Sequence, residues 1–352
     1  MRALRYYSAN DIRLDDISEP EPGPGMIKVA IEAAGICGSD IHEYKNGPIS
    51  TPVNAPHPLT GEQTPIVLGH EFCGTVVAVG PGVERIAVGQ RIAANAALWC
   101  GQCPPCAGGS TNVCTSIGFH GVSGGGGAFA AFDVIPERNA HVVPDSIPSS
   151  VGALLEPLAT AIHAVKMAGL SPGDHAVVFG AGPIGLMVLS ALSTIGLQSI
   201  VAVEPGASRA AAAARYGATA VINPLTADVR GTVAEITNGG RVGASFDAAA
   251  APDSLHTAID VTGVHGRVIN IAAWEHPVEF NPTSLLFREV SLHGSLAYTS
   301  EDFDDAVAHA APRARAMSGM ITSTIALDDV ITAGFDRLAF HQHDEIKVLV
   351  QP

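Results

Sequence analysis

Four of the six cysteines, Cys100, Cys103, Cys106 and Cys114, follow one another as C-x2-C-x2-C-x7-C. Four thiolates so close in sequence suit a single tetrahedral zinc ion, closed by protein ligands and therefore structural. Two other chemistries compete for the same residues. Disulfides need an oxidising compartment, and Cys103-Pro-Pro-Cys106 alone has the spacing of a redox dithiol. A redox pair leaves the two further cysteines unexplained, so structural zinc is the expectation. A second chemical signal is Gly180-Ala-Gly182-Pro183-Ile184-Gly185, a G-x-G-x-x-G run. It follows the apolar run His175 to Phe179 and opens a helical pattern, with Glu204 ending the next apolar run roughly 20 residues on, which is the layout of a dinucleotide site. There Gly180 permits the tight turn, Gly182 lets backbone approach a pyrophosphate, and Gly185 lets helix pack on strand. Glu204 would take the ribose hydroxyls and repel a 2′-phosphate, which favours NAD over NADP. Arg209 is the counter-argument, since it could accept that phosphate, but it more simply borders the ribose site.

These residues need elements to hold them. Up to about residue 150 the sequence is cut into short apolar runs by Gly and Pro (MIKVAIEA, GTVVAVG, AFAAFDVI), which predicts a β-rich domain with irregular loops. From about residue 156 strand-like runs alternate with Ala-rich helical ones, which predicts βαβ units and a parallel sheet. The end, Asp302 to Pro352, reads as two helical stretches and a terminal strand, IKVLV, returning to the first domain. Gly124 to Gly127 lacks a following helix start, so a flexible turn before a strand from Ala128 to Ile135 is expected instead of a phosphate cradle.

Composition narrows the partners. The chain has 352 residues, 47 % apolar, with 19 basic against 34 acidic residues and a net charge of -15. That much apolar content excludes intrinsic disorder, and that much negative charge repels nucleic acid. Met1 to Asn10 has no apolar run of the kind a secretory signal needs, so a cytoplasmic protein is expected. Between Asp174 and Glu204 there is no Asp, Glu, Lys or Arg, a stretch that hydropathy alone would score as a membrane span. Gly180, Gly182, Pro183 and Gly185 interrupt it, and the expectation is a buried strand, turn, helix and strand, with no membrane partner.

Outside the cysteine quartet, Cys37, His70, Glu71 and Glu156 are the polar residues with the chemistry to hold a second metal, and spacing alone does not settle it. They stand in Gly35-Ile-Cys37-Gly-Ser39-Asp40-Ile-His42, Gly69-His70-Glu71 and Glu156-Pro157. With the four-cysteine loop and the glycine fingerprint, in this order, the combination resembles the zinc-dependent medium-chain dehydrogenase/reductase family over essentially the whole chain. The Pro-rich insert Asn46 to Pro65 resembles the butanediol-oxidising branch more than the sorbitol-oxidising one.

The resemblance implies an α/β fold: a doubly wound Rossmann sheet (156–293) and a β-rich, GroES-like catalytic domain built from both chain ends (1–155 and 294–352), with the active site in the cleft. It implies Cys37, His70 and Glu156 as ligands of a catalytic zinc, with Glu71 either binding the metal or standing behind it while water fills the site. Asp40 would orient His70, and Ser39 and His42 would relay a proton. Zinc at two sites per chain and NAD are the implied cofactors. The implied reaction is NAD-dependent oxidation of a vicinal secondary diol, 2,3-butanediol to acetoin, and the reverse reduction of acetoin or diacetyl, by a homodimer or homotetramer. Sorbitol or another polyol, or threonine, is the alternative substrate. A zinc- and NAD-binding protein without turnover is the alternative of another class. The basic residue that some alcohol dehydrogenases carry after the first zinc cysteine is absent here, where Gly38 stands.

Overall fold

The structure is a computed structural model that describes residues 1–341 and 344–352. Contacts divide the chain into two compact units, Met1–Ala159 with Tyr298–Pro352, and Thr160–Ala297. The boundaries that the resemblance implies are 155/156 and 293/294. Glu156 and Tyr298, whose side chains bond to each other, both belong to the first unit.

The first unit is built on a seven-stranded sheet. Met26–Gly35 pairs antiparallel with Glu71–Val79, Phe132–Pro136 and the last strand of the chain, Lys347–Gln351, which in turn runs parallel to Ile321–Ala326. Its core gathers Ile27, Val29, Phe72, Val76, Ile92, Phe129, Phe335, Val348 and Val350. The terminal run IKVLV therefore returns to this unit as a central strand. The strand expected from Ala128 begins only at Phe132. Ala128 and Phe129 instead donate to Gly69 and Leu68 carbonyls, which draws that stretch away from the sheet. The glycine run is tied down: Gly124, Gly125 and Gly126 take positive φ, and the Gly127 N–H donates to Asp133 Oδ1 at 3.1 Å. Near the C-terminus, Ser300–Ala310 is α-helical and Val330–Asp336 is a π-helix.

The second unit is a six-stranded sheet in which every pairing is parallel. Numbered in chain order within the unit, from His175–Phe179 to Ser291–Gly294, its strands lie in the order 3-2-1-4-5-6, that of a doubly wound dinucleotide fold. His175–Phe179 and Ser199–Val203 are buried at every position, as strands covered on both faces must be, and their runs HAVVF and SIVAV are accordingly almost continuously apolar. The uncharged stretch between Asp174 and Glu204 is those two strands and the helix Pro183–Leu192. Among the described residues no helix is long and apolar enough to cross a membrane.

Candidate functional site

Sheet register assembles the first cluster. Glu71 opens its strand opposite Gly35, the last residue of Met26–Gly35. In an antiparallel pair the chain leaving one strand runs beside the chain arriving at the other, so Ile36-Cys37 meets Gly69-His70. Cys37 caps the helix Gly38–Asn46, and its N–H donates to Asp40 Oδ2 at 2.9 Å. One ligand-capable atom each of Cys37, His70 and Glu71 lies within 4.8 Å of the other two. The close approach needs Gly35, where a Cβ would stand 2.1 Å from Glu71 Oε2.

The groups around the trio are as specific as the trio itself. Asp40, fully buried, places Oδ1 3.4 Å from His70 Nδ1, and neither atom has a hydrogen-bond partner elsewhere. Burial pulls the His70 imidazole down, but the Asp40 carboxylate and Cys37 outweigh it and hold its pKa well above the usual range. With Nδ1 facing a carboxylate, Nε2 is turned to the opposite side, 3.4 Å from Ser39 Oγ. His42 is half-buried on the same helix as Ser39. Glu156, in the first turn of Leu155–Ala168, stands outside the 4.8 Å group, and its Oε1 accepts from the Tyr298 hydroxyl at 2.8 Å. Burial pushes its carboxyl up to about 7, with His70 pulling it down and Glu71 pushing it further up.

Two residues at this site carry no local sequence signal. The Tyr298 hydroxyl, which donates to Glu156, also accepts from the Ala96 N–H at 3.1 Å, and the side chain is fully buried. Lys347 sends Nζ to both Glu71 oxygens, at 2.8 and 2.6 Å, and to the Ile36 carbonyl at 3.2 Å. Burial lowers the Lys347 pKa but the paired Glu71 raises it by more, so the two form a buried ion pair. Neither could be found by spacing: Lys347 lies 276 residues from Glu71, and Tyr298 lies 142 from Glu156.

The cysteine quartet forms a second cluster in the same unit, with one sulfur of each residue within 4.8 Å of the rest. Cys114 Sγ lies 3.8 Å from that of Cys103 and 3.5 Å from that of Cys100. Edges of about 3.8 Å are those of a tetrahedron with Zn–S bonds of about 2.3 Å, whereas a disulfide needs about 2.05 Å. Backbone N–H groups already point at the sulfurs, Cys100 and Ser116 to Cys114 and Cys103 to Cys100. N–H donors at Thr115 and Cys106 pull the Cys103 thiol down to about 6, whereas burial and the neighbouring Cys103 push the Cys106 thiol up to about 12. Both donor sets, four thiols in one place and thiol, imidazole and carboxylate in the other, fit zinc.

In the second unit Gly180 takes φ +89°, leaving the strand His175–Phe179 in a conformation that favours glycine. A Cβ at Gly185 would stand 2.0 Å from the Gly180 carbonyl, so helix and turn touch at that point. A Cβ at Gly182 would meet nothing within 4 Å, leaving open space before the helix that Pro183 and Ile184 begin. Glu204, buried at the end of its strand, accepts from the Ala181 N–H at 2.7 Å and the Gly206 N–H at 2.8 Å. Arg209 lies in the following helix, Ala207–Arg215.

Comparison with known proteins places this geometry in context. Residues 23–145 match the alcohol dehydrogenase GroES-like domain, and residues 183–311 match the zinc-binding dehydrogenase domain. The (R,R)-butanediol dehydrogenase of Bacillus subtilis is 38 % identical over 100 % of both chains. A crystal structure of 2R,3R-butanediol dehydrogenase from Bacillus subtilis superposes with a TM-score of 0.92, covering 100 % of this chain and 99 % of that one. Two further crystal structures, each covering 100 % of this chain and 99 % of theirs, hold different nicotinamide cofactors. A zinc-binding dehydrogenase from Sinorhizobium meliloti 1021 is bound to NADP (29 % identity, TM-score 0.87), and an alcohol dehydrogenase from Escherichia coli CFT073 is complexed with NADH (27 %, 0.88). The full-length matches, the two domain models and the shared architecture agree, and this chain is a member of the zinc-dependent medium-chain alcohol dehydrogenase family.

Proposed function

We propose that the chain oxidises a vicinal secondary diol with NAD, 2,3-butanediol to acetoin, and catalyses the reverse reduction of acetoin or diacetyl. The observation that carries the reading is the cluster of Cys37, His70 and Glu71 with Asp40 behind the imidazole and Ser39 beside it. The butanediol dehydrogenases among its relatives point to the substrate class.

Cys37, His70 and Glu156 are the residues that would hold the catalytic zinc. Lys347 neutralises Glu71 and favours a place for it behind the ligands. When bound, zinc supplies Lewis acidity that makes the substrate hydroxyl easier to deprotonate and polarises the ketone in reverse. Ser39 accepts the substrate proton and the His42 imidazole, on the same helix, delivers it to solvent. Asp40 holds His70 in one tautomer throughout. Cys100, Cys103, Cys106 and Cys114 would hold a structural zinc, and a set of free thiols suits the reducing cytoplasm. Gly180, Gly182 and Gly185, with the helix that Pro183 and Ile184 open, would receive the pyrophosphate. Glu204, fixed by two backbone N–H groups, favours NAD over NADP. Arg209 would border the ribose. Association of copies into a dimer or tetramer is supported by the outer strand Ser291–Gly294, beside which Leu286 and Phe287 are 67 % and 84 % exposed.

The test is NADH formation by purified, zinc-loaded protein on (R,R)- and meso-2,3-butanediol, sorbitol and threonine, each repeated with NADP. Turnover on a butanediol with NAD alone is expected. Turnover confined to sorbitol or threonine would overturn the diol assignment, faster turnover with NADP would overturn the role of Glu204, and no turnover on any alcohol would overturn the reading as a whole.

A further inference from the structure

The Pro-rich insert, Asn46 to Pro65, holds none of the residues given a chemical role above, yet side chains fasten it to the helix that Cys37 caps and to the loop that flanks Gly69-His70. Glu43 makes the first attachment. It stands one turn beyond Ser39 on the helix Gly38–Asn46 and is 2 % exposed. Its carboxylate accepts from the Ile49 N–H at 2.9 Å, the Thr51 N–H at 3.2 Å, the Thr51 hydroxyl at 2.9 Å and the Ser50 N–H. A buried carboxylate with four donors from three successive residues fixes the path of that segment more tightly than apolar packing could, because each donor left unpaired would carry its own desolvation cost.

The far part of the insert makes the second attachment. Thr60 Oγ1 donates to the Ser123 carbonyl at 3.0 Å, the Ser123 hydroxyl donates back to the Ser50 carbonyl at 3.4 Å, and His57 Nε2 lies 3.3 Å from the Ile117 carbonyl. The loop it grips is held by a buried pair, His120 Nε2 to Asp133 Oδ2 at 2.5 Å. That loop also flanks the ligand segment: Gly69 donates to the Gly121 carbonyl at 3.2 Å and accepts from Ala128 at 2.9 Å, one residue before His70. The insert thus bridges the helix that carries Ser39 and the loop that holds Gly69.

We propose that Glu43 is a specificity-determining positioning residue: by fixing Ile49 to Thr51 against the helix of Ser39, it sets the insert as a wall that selects a short vicinal diol over longer polyols. The proposal rests on the zinc-dependent alcohol dehydrogenase reading above. Both carboxylate oxygens of Glu43 are taken up by donors of the insert. Replacing it with Gln turns an amide NH2 toward backbone donors while keeping the volume, which should loosen the wall without emptying the core.

The experiment compares the zinc-loaded wild-type enzyme with Glu43→Gln and the milder Thr51→Val on the same alcohol panel. Loss of these charged hydrogen bonds should raise KM for the preferred diol about tenfold in Glu43→Gln and less in Thr51→Val, with kcat within about twofold and the preference over sorbitol reduced about tenfold. NAD affinity and zinc content should stay at wild-type values, and hydrogen exchange should quicken in peptides from 46–65 but not in those from 38–45. A fall in kcat at unchanged KM, an unmoved alcohol preference, or failure of both variants to fold would overturn the assignment and leave Glu43 a purely structural residue. No turnover by the wild type would overturn the functional reading, and this proposal with it, whereas wild-type turnover with an unmoved preference would overturn the Glu43 assignment alone.

Discussion

Tyr298 joins two demands in one hydroxyl, donating to Glu156 and accepting from the Ala96 N–H in a fully buried position. Tyr298→Phe keeps the ring and removes both bonds, so Glu156 loses its orientation and an N–H is left unpaired. A stability loss of about 1–3 kcal/mol is expected in thermal unfolding. A tenfold or greater loss of zinc affinity at the catalytic site, read by chelator competition, should accompany it. Unchanged zinc affinity would mean that Glu156 needs no partner to hold its position. The same residue shows where sequence reading stops. Cys37, Ser39, Asp40, His70 and Glu71 were legible because they sit in short motifs whose order along the chain is informative. Tyr298, Lys347 and Glu43 were not, because each meets its partner only through the folded sheet or a looped-back segment. No periodicity marks a single Tyr, Lys or Glu for such a meeting.

Elements with strong periodicity or continuous apolar content were read correctly, and those shaped by long-range hydrogen bonds were not. The buried strands of the second unit announce themselves in HAVVF and SIVAV. The start of Phe132–Pro136 does not, since Ala128 and Phe129 are equally apolar but bond to Gly69 and Leu68. The helix Ser300–Ala310 shows how an element can also work against its own polarity. His309 lies in its last turn, where the helix end favours a cation, yet burial first and Arg313 second lower its pKa to about 4. The unfolded chain therefore binds this proton near pH 6.5 and the folded chain only near 4, so stability falls as pH drops through that window and the effect is absent above it. Because the ring is partly exposed, solvent screening limits the effect to about 1 kcal/mol. Denaturant melts at pH 7 and pH 4.5 should show His309→Gln losing less stability on acidification than the wild type. An equal loss in both would show that the imidazole is protonated in the folded chain.

At the scale of the whole molecule, a net charge of -15 must be reconciled with the apolar edge beside Ser291–Gly294. Copies that meet through that edge bury Leu286 and Phe287 but bring like charges together, so association should strengthen with salt as the repulsion is screened. Light scattering should find an oligomer of the wild type. For Phe287→Glu, which adds charge where the contact needs apolar area, it should find the 36.0 kDa protomer. A wild-type protomer at every salt concentration would refute that edge as an interface. The placement of the last strand, Lys347–Gln351, has a different bearing, on the order in which the protein is made. The second unit is one continuous stretch of chain, Thr160–Ala297, complete in sequence before Tyr298–Pro352 is synthesised. The first unit waits for Lys347–Gln351, because Lys347 neutralises the buried Glu71 and this strand lies between two others in the sheet. On the ribosome, therefore, the continuous unit can fold as a finished body while the sheet of the first unit still lacks the strand that runs between two of its others.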